Sequence, residues 1–196
     1  MGKNHPNVDD DVVSRVRALE SLLLEKGLLA SDAVDRVIRH YEADTGPMVG
    51  ARAVARAWRD PGYKRRLLGE TTAALADLGV EFDRLVVVEN TPAVHNLVVC
   101  TLCSCYPWGV MGLPPTWYKS FPYRARAVAE PRQLLAELGL HVPPEREIRV
   151  WDSSAELRYM VLPAPPAGSE NRSEDELACL ITRDALIGVA EVAAAG

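Results

Sequence analysis

Three of the four cysteines fall within six residues, Cys100-Thr101-Leu102-Cys103-Ser104-Cys105. The segment directly follows the apolar run Leu97-Val98-Val99 and directly precedes Tyr106-Pro107-Trp108. A cluster this tight can place three sulfurs on one metal ion, and Cys-Ser-Cys is too short to act as an ordinary ligand pair. If Cys103 and Cys105 bind one ion, the amide nitrogens of Ser104 and Cys105 are brought within bonding distance. The sulfur and nitrogen of Cys105 then close one small chelate ring. The Ser104 and Cys105 nitrogens close a second, and the Cys103 sulfur with the Ser104 nitrogen a third. Two sulfurs and two deprotonated amides make a square plane. Cys100 reaches one axial position, and the opposite one stays open. An open position marks a catalytic rather than a structural metal site. Thiolates and amide anions in a plane suit a transition metal with directional d-orbital preferences, and they favour a trivalent ion such as cobalt(III) or iron(III).

Other chemistries compete for the same residues. Zinc prefers a closed tetrahedron and would need a fourth ligand, for which His95 and Cys179 are candidates, but no second Cys-x-x-Cys is present. A redox disulfide within Cys100-Thr101-Leu102-Cys103 is opposed by the third cysteine and by the lack of a thioredoxin-like pattern. Cys179 lies on an expected helix beside Leu177 and Leu180 and reads as core packing.

A chain of 196 residues can form one large domain, or a domain with an extension, and can bury a real core. Hydrophobic content of 48% and charged content of 25% are ordinary for a soluble protein. A net charge of −5 and a pI near 5.4 argue against a nucleic-acid partner. No apolar run approaches membrane-spanning length. Met1-Gly2-Lys3-Asn4-His5-Pro6 has no apolar signal core, and Pro6 stands where a myristoylation site wants Ser or Thr. Clustered cysteines do not make a disulfide framework, so a reducing cytoplasm is expected.

Hydrophobic spacing predicts helices over the first 80 residues. Val12 to Lys26 carries Val12, Val16, Leu19, Leu22 and Leu23 on one face, with Gly27 as the stop. Ser31 is expected to cap a second helix with Val34, Val37, Ile38 and Tyr41 on its face, broken by Gly46-Pro47. Ala51, Val54, Ala55 and Trp58 repeat the spacing. Asp60-Pro61 then starts a helix running toward Leu78. Short amphipathic pieces of this kind need something to pack on. After Gly79 the pattern changes. Leu85 to Val88 and Leu97 to Val99 read as strands joined by Glu89-Asn90-Thr91-Pro92, and Ile148 to Trp151 and Arg158 to Leu162 as two more. Gly and Pro keep Trp108 to Pro115 out of regular structure. Glu130-Pro131 begins a helix through Leu138, Asp152-Ser153-Ser154 is turn-forming, and Ser173-Glu174-Asp175-Glu176 is a capping box for a helix through Ile181. The fold class is α+β. A helical N-terminal arm (1–80), expected to pack on the rest of the chain or on a partner subunit, precedes a layered α+β domain (81–196) that carries the metal loop 100–105 and is expected to be the catalytic one.

The loop and its surroundings resemble the α subunit of nitrile hydratase. The resemblance rests on Cys100 to Trp108, Gly112-Leu113-Pro114-Pro115, Trp117-Tyr118-Lys119, Tyr123-Arg124-Ala125-Arg126 and Glu130-Pro131-Arg132. It extends through Ile148 to Asp152, Arg158 to Pro163 and Leu186-Ile187-Gly188-Val189, with Arg17 to Glu20 and Ala57-Trp58 upstream. It covers nearly the whole chain, and Thr101 resembles the cobalt form, where the iron form usually has Ser. The resemblance implies hydration of a small nitrile to an amide at a non-corrin cobalt(III) centre, with iron(III) second. It implies metal ligation by Cys100, Cys103, Ser104 through its amide nitrogen, and Cys105 through sulfur and nitrogen. Cys105, Cys103 and Ser104 would be the catalytic residues, with Cys103 as sulfinic acid and Cys105 as sulfenic acid. It also implies a nitrile hydratase β subunit supplying arginines to those oxygens, a separate activator protein for cobalt insertion, a substrate-pocket role for Trp117 and a subunit-interface role for Arg158. Gly109 departs from the family's usual Pro, and Glu81 stands near an expected Gln. A thiocyanate hydrolase catalytic subunit shares the cysteine motif, but Trp108 stands where Arg is expected in that enzyme. A non-catalytic zinc-binding module is the remaining alternative.

Overall fold

The computed structural model describes residues 10–40 and 48–194. The expected Gly46-Pro47 break and the place of Tyr41 lie outside the described residues. Helix α1 (Asp10–Glu25) ends ahead of Gly27, whose positive φ of 64° suits a residue without a side chain. Its predicted apolar face, Val12, Val16, Leu19 and Leu22, is present but exposed. Helix α2 (Ala33–Arg39) likewise buries none of its residues. Its N-cap is Asp32, without a side-chain cap bond, and not Ser31 as the sequence suggested.

Helix α3 (Met48–Arg59) behaves in the opposite way. Val49, Ala51, Ala53, Val54, Ala55 and Ala57 are all buried. Its small side chains let neighbours approach closely: a Cβ on Gly50 would meet Leu186 Cδ1 at 2.9 Å and Val110 O at 3.1 Å. Helix α4 (Pro61–Gly69) starts as the sequence predicts. Asp60 Oδ1 accepts from the amides of Gly62 (2.7 Å) and Tyr63 (3.0 Å), and Pro61 occupies the first turn. The helix does not run unbroken toward Leu78. Glu70 leaves helical geometry at φ −134°, ψ 56°, after Gly69, and a separate helix α5 (Thr71–Ala76) follows. The Thr71 hydroxyl bonds back to Leu67 O at 2.8 Å and ties the two pieces together.

Two short parallel sheets form the centre. Strand β1 (Leu85–Glu89) pairs with β4 (Arg158–Leu162), and β2 (Val94–Val99) pairs with β3 (Glu147–Asp152). The consecutive strands β1 and β2 are therefore not partners. Asn90 N donates to Leu162 O, and a turn closed by Thr91 and Val94 carries the chain from one sheet to the other. Strand β2 is buried from His95 to Val99, as parallel strands covered on both faces are. Its register places Val99 opposite Asp152, so the end of β3 stands beside the first residue of the cysteine loop.

Beyond the loop lies a helical turn α6 (Trp108–Met111), in the stretch to Pro115 expected to be irregular, and then a 3₁₀ turn (Thr116–Lys119). Helix α7 (Phe121–Ala129), capped by Ser120, had no predicted counterpart. Helix α8 (Pro131–Glu137) starts at Glu130-Pro131 as expected, without a side-chain cap bond, and α9 (Glu174–Leu180) follows its predicted cap. The Ser173–Glu176 capping box is complete. Cys179 on α9 is exposed, which corrects its expected core role: Leu177 faces inward, and Cys179 two positions on points away. Helix α10 (Arg183–Ile187) ends at Gly188, with φ 91°. A Cβ there would lie 2.0 Å from Asn96 O, so only glycine fits. That contact lets Gly188 O accept from His95 Nε2 at 2.7 Å, while Asn90 Nδ2 faces His95 Nδ1 at 3.4 Å. The fully buried His95 is thus held as a neutral imidazole in the core.

Candidate metal centre

The cysteine loop leaves β2 at its buried end. Cys100 is completely buried, Cys105 is half-buried, and Cys103 is exposed. Their sulfurs nevertheless converge. Cys100 Sγ and Cys103 Sγ lie 3.5 Å apart, Cys103 Sγ and Cys105 Sγ 3.1 Å, and all three fall within 4.8 Å of one another. These separations exceed a disulfide bond and match three ligands facing one small ion. The cysteines are free. Among the described residues, the group of side chains able to hold a metal consists of Cys100, Cys103 and Cys105. Neither His95 nor Cys179 joins it, because His95 spends both ring nitrogens in the core and Cys179 is exposed on α9. A tetrahedral zinc site therefore lacks the fourth ligand the sequence had offered.

The backbone is held at both ends of the turn. Asp152, at the end of β3, accepts from Thr101 N at 2.9 Å and from Thr101 Oγ1 at 2.5 Å. Arg124 on α7 donates twice to Thr101 O, from Nε at 3.2 Å and Nη2 at 2.5 Å. Both polar backbone groups of Thr101 are therefore bound to charged side chains from separate elements. At the other end, Tyr118 Oη donates to Cys105 O at 3.1 Å. Burial pushes the Tyr118 phenol well above its ordinary pKa, so it stays protonated and able to donate. Tyr118 belongs to an aromatic layer under the loop. Its ring meets Tyr106 edge-on at 5.2 Å, Trp117 packs on Tyr123 at 4.8 Å, and Tyr123 Oη bonds Val98 O at 2.6 Å.

The electrostatics favour ionisation of one thiol first. Hydrogen bonds from the Cys105 and Cys100 thiols, joined by the backbone amides of Ser104 and Cys105, pull Cys103 down to about 7. Burial, followed by the neighbouring sulfurs, pushes Cys105 up to about 12. The amides of Ser104 and Cys105 thus face the same sulfur, within a set of soft thiol donors. That donor set fits a thiophilic transition metal.

Of the sequence-predicted site residues, Cys100, Cys103, Ser104 and Cys105 lie together. Arg158, at the start of β4, lines an open depression with Phe82, Asp83, Ser104, Cys105, Tyr106, Trp108 and Gly109. Trp117 lies in the aromatic layer, 7% exposed, and does not line that depression. Sequence reading missed the clamping roles of Asp152 and Arg124, the support from Tyr118, and Phe82. Asp152 follows a predicted strand, but only the pairing of β3 with β2 reveals what it reaches.

A profile of the nitrile hydratase alpha chain matches residues 10–190. The chain belongs to the nitrile hydratase α-chain family. It is 56% identical over 187 residues to the low-molecular weight cobalt-containing nitrile hydratase subunit alpha of Rhodococcus rhodochrous, covering 94% of this chain and 90% of that one. In structure it resembles a double mutant of the Fe-type nitrile hydratase from Comamonas testosteroni Ni1. The TM-score is 0.83 at 44% identity, over 95% of this chain and 92% of that one. The thiocyanate hydrolase subunit gamma of Thiobacillus thioparus is more distant, at 42% identity over 88% of this chain and 76% of its own length. The family match thus spans the place where three sulfurs converge. Among the described residues, no helix is long and apolar enough to cross a membrane.

Proposed function

We propose that this chain is the catalytic α subunit of a cobalt-type nitrile hydratase, which adds water to a nitrile to give an amide. The observation that carries the reading is the convergence of three thiols on a clamped turn, in a chain 56% identical to a cobalt-containing relative. Cys100, Cys103 and Cys105 would hold cobalt(III) through sulfur, and Ser104 and Cys105 through their amide nitrogens. Bound there, the ion supplies Lewis acidity toward a nitrile and toward water.

The chain's own residues set up the rest. Asp152, Arg124 and Tyr118 hold the turn in a shape in which its three sulfurs converge. Cys100 is completely buried, which suits a sulfur left unoxidised. Cys103 is the most exposed of the three and the first to ionise, which suits the sulfinic acid. Cys105 is half-buried, which suits the less oxidised sulfenic acid. Oxidation at these two positions, by an oxidant such as dioxygen from outside the chain, would weaken sulfur donation and place oxygens beside the depression that Arg158 lines. We assign catalytic roles to Cys105, Cys103 and Ser104, an interface role to Arg158, and to Trp117 a supporting role in the substrate pocket, packed on Tyr123 beneath the loop.

Within the segment 1–80, α1 and α2 would pack on a β subunit. Their exposed stripe of Val12, Val16, Leu19, Leu22, Val37 and Ile38 supports this, since an isolated helix gains little without an apolar partner. That subunit would also supply cations to the sulfur oxygens. Cobalt insertion would need an activator protein, and free thiols suit a reducing cytoplasm. The test is to purify the complex of this chain with its β subunit, measure its metal, and assay nitrile and thiocyanate in parallel. Cobalt with amide formation supports the reading. Stoichiometric zinc with unmodified cysteines overturns it, and release of carbonyl sulfide from thiocyanate with no amide from nitriles transfers the chain to the thiocyanate hydrolase reaction.

A further inference from the structure

The turn that joins β3 to β4 meets the cysteine loop at more than one point. Asp152 grips Thr101, and Ser153 N donates to Val99 O at 2.7 Å, one residue before Cys100. Ser153 is 2% exposed, yet the ligand chemistry of the loop makes no use of its hydroxyl. That hydroxyl has two partners. Its Oγ accepts from Tyr159 N, on β4, at 3.3 Å, and it is hydrogen-bonded to the buried phenol of Tyr118. Tyr118 Oη in turn donates to Cys105 O at 3.1 Å.

The direction of this chain follows from its protons. The Tyr159 amide can only donate, and the Cys105 carbonyl can only accept. The phenol spends its one proton on Cys105, so the proton that joins Ser153 to Tyr118 belongs to Ser153. The electrostatics agree: burial pushes the Tyr118 phenol up, while the Ser153 bond pulls it back, the sign of a proton donated onto the phenol oxygen. Every link thus points from β4 toward the loop, and each polarises the next. A buried chain of this kind favours one orientation of the Tyr118 hydroxyl, the one aimed at Cys105. Ser154, the next residue, bonds within the turn instead: its Oγ accepts from the amides of Glu156 and Leu157, each at 3.2 Å.

We propose that Ser153 is a positioning residue of the metal centre, which acts through the Tyr118 hydroxyl to hold the backbone of Cys105 in place. The proposal rests on the metal-binding reading above, in which Cys105 offers both a sulfur and an amide nitrogen. Without the Ser153 hydroxyl the phenol is free to turn from Cys105 O, and both of those ligand atoms are held less firmly.

The test uses the cobalt-loaded complex with its β subunit, as wild type, Ser153→Ala, Tyr118→Phe, the double variant of these two, and Ser154→Ala. Two quantities are read: the rate at which a chelator removes cobalt, and the position of the sulfur-to-cobalt charge-transfer absorption band. Ser153→Ala and Tyr118→Phe should each speed cobalt loss about tenfold, the scale of partners that orient ligands, and should shift the band alike. The double variant should lose cobalt no faster than Tyr118→Phe alone, because both changes break one chain. Ser154→Ala removes a hydroxyl from the same turn and should leave both readings at their wild-type values. Additive losses in the double variant, about a hundredfold, overturn the inference, because Ser153 then acts independently of Tyr118. Wild-type behaviour in Ser153→Ala, or an equal effect of Ser154→Ala, overturns it too. Tyr118→Phe keeps the aromatic packing, so if Ser153→Ala fails to assemble, wild-type cobalt release in Tyr118→Phe is equally decisive against it. A wild-type complex that takes up no cobalt overturns the functional reading and this inference with it.

Discussion

The cysteine loop and the helix pair α1–α2 are completed in opposite ways. The loop is finished from within the chain. Asp152, Arg124 and Tyr118 reach it from three elements, and each meets a backbone group. Helices α1 and α2 are regular and amphipathic, yet Val16 and Leu19 are 59% and 61% exposed. Fixing ligands requires directional bonds at short range, which a single chain supplies from its own strands. Covering an apolar stripe requires area, and that area can come from another polypeptide. The difference suggests a division of labour in which this chain holds the metal and the partner closes the site.

The sharpest way to break this comparison is at the sulfurs. Cys103→Ala or Cys105→Ala should abolish activity and lose the trivalent metal, read by elemental analysis and by amide formation in the purified complex. Partners outside the ligand set are worth about 10–100-fold each, so losing a ligand should exceed that. The β-free chain should show almost no turnover, because its open depression lacks the partner's contribution. Measurable nitrile hydration by the chain alone would erase the proposed division.

A smaller effect separates the two regions directly. Leu19→Asp should weaken association with the β subunit by about 10–100-fold, from roughly 1.5–3 kcal/mol of lost burial. It should leave the melting temperature of the isolated chain nearly unchanged, because Leu19 is already exposed there. Asp152→Ala should do the reverse. It removes two bonds to an exposed carboxylate, worth about 1 kcal/mol each, so cobalt retention under chelator challenge should fall while subunit affinity holds. Equal responses of both variants in both assays would contradict the comparison.

The smallest expected effect is on pH. Burial holds His95 below its ordinary value of 6.5, so the unfolded chain accepts a proton that the folded core refuses. Stability is full above pH 6.5 and declines as pH falls from there toward the folded value. The slope is at most about 1.4 kcal/mol per pH unit. Thermal melts of the isolated chain between pH 7.5 and about 5.5 should show this decline, and His95→Gln should flatten it. Gln retains polar atoms for Asn90 and Gly188 without the titration.

The parts of the fold written in local chemistry were legible in the sequence. Asp60-Pro61 and the Ser173 capping box start α4 and α9 as expected, because caps act within one turn. The strands were found, but not their partners: apolar runs mark β1 and β2 without revealing that both pair in parallel with strands more than fifty residues on. Helix α7 escaped because Phe121 and Val128 face outward, so its apolar spacing does not mark one buried face. Cys179 misled for the related reason that helical spacing alone does not reveal which face the core takes. In the site, the ligand cysteines were visible as a spacing, whereas Asp152, Arg124 and Phe82 arrive from distant positions and become legible only once the strands are in register.

If the turn from Cys100 to Cys105 grips a trivalent ion through sulfur and through its own peptide nitrogens, cobalt-edge X-ray absorption on the purified complex will show it. The expected inner shell is three sulfurs and two nitrogens from the chain, with the edge position of cobalt(III). A shell of sulfur and imidazole alone, or an edge at cobalt(II) in an active sample, would contradict it.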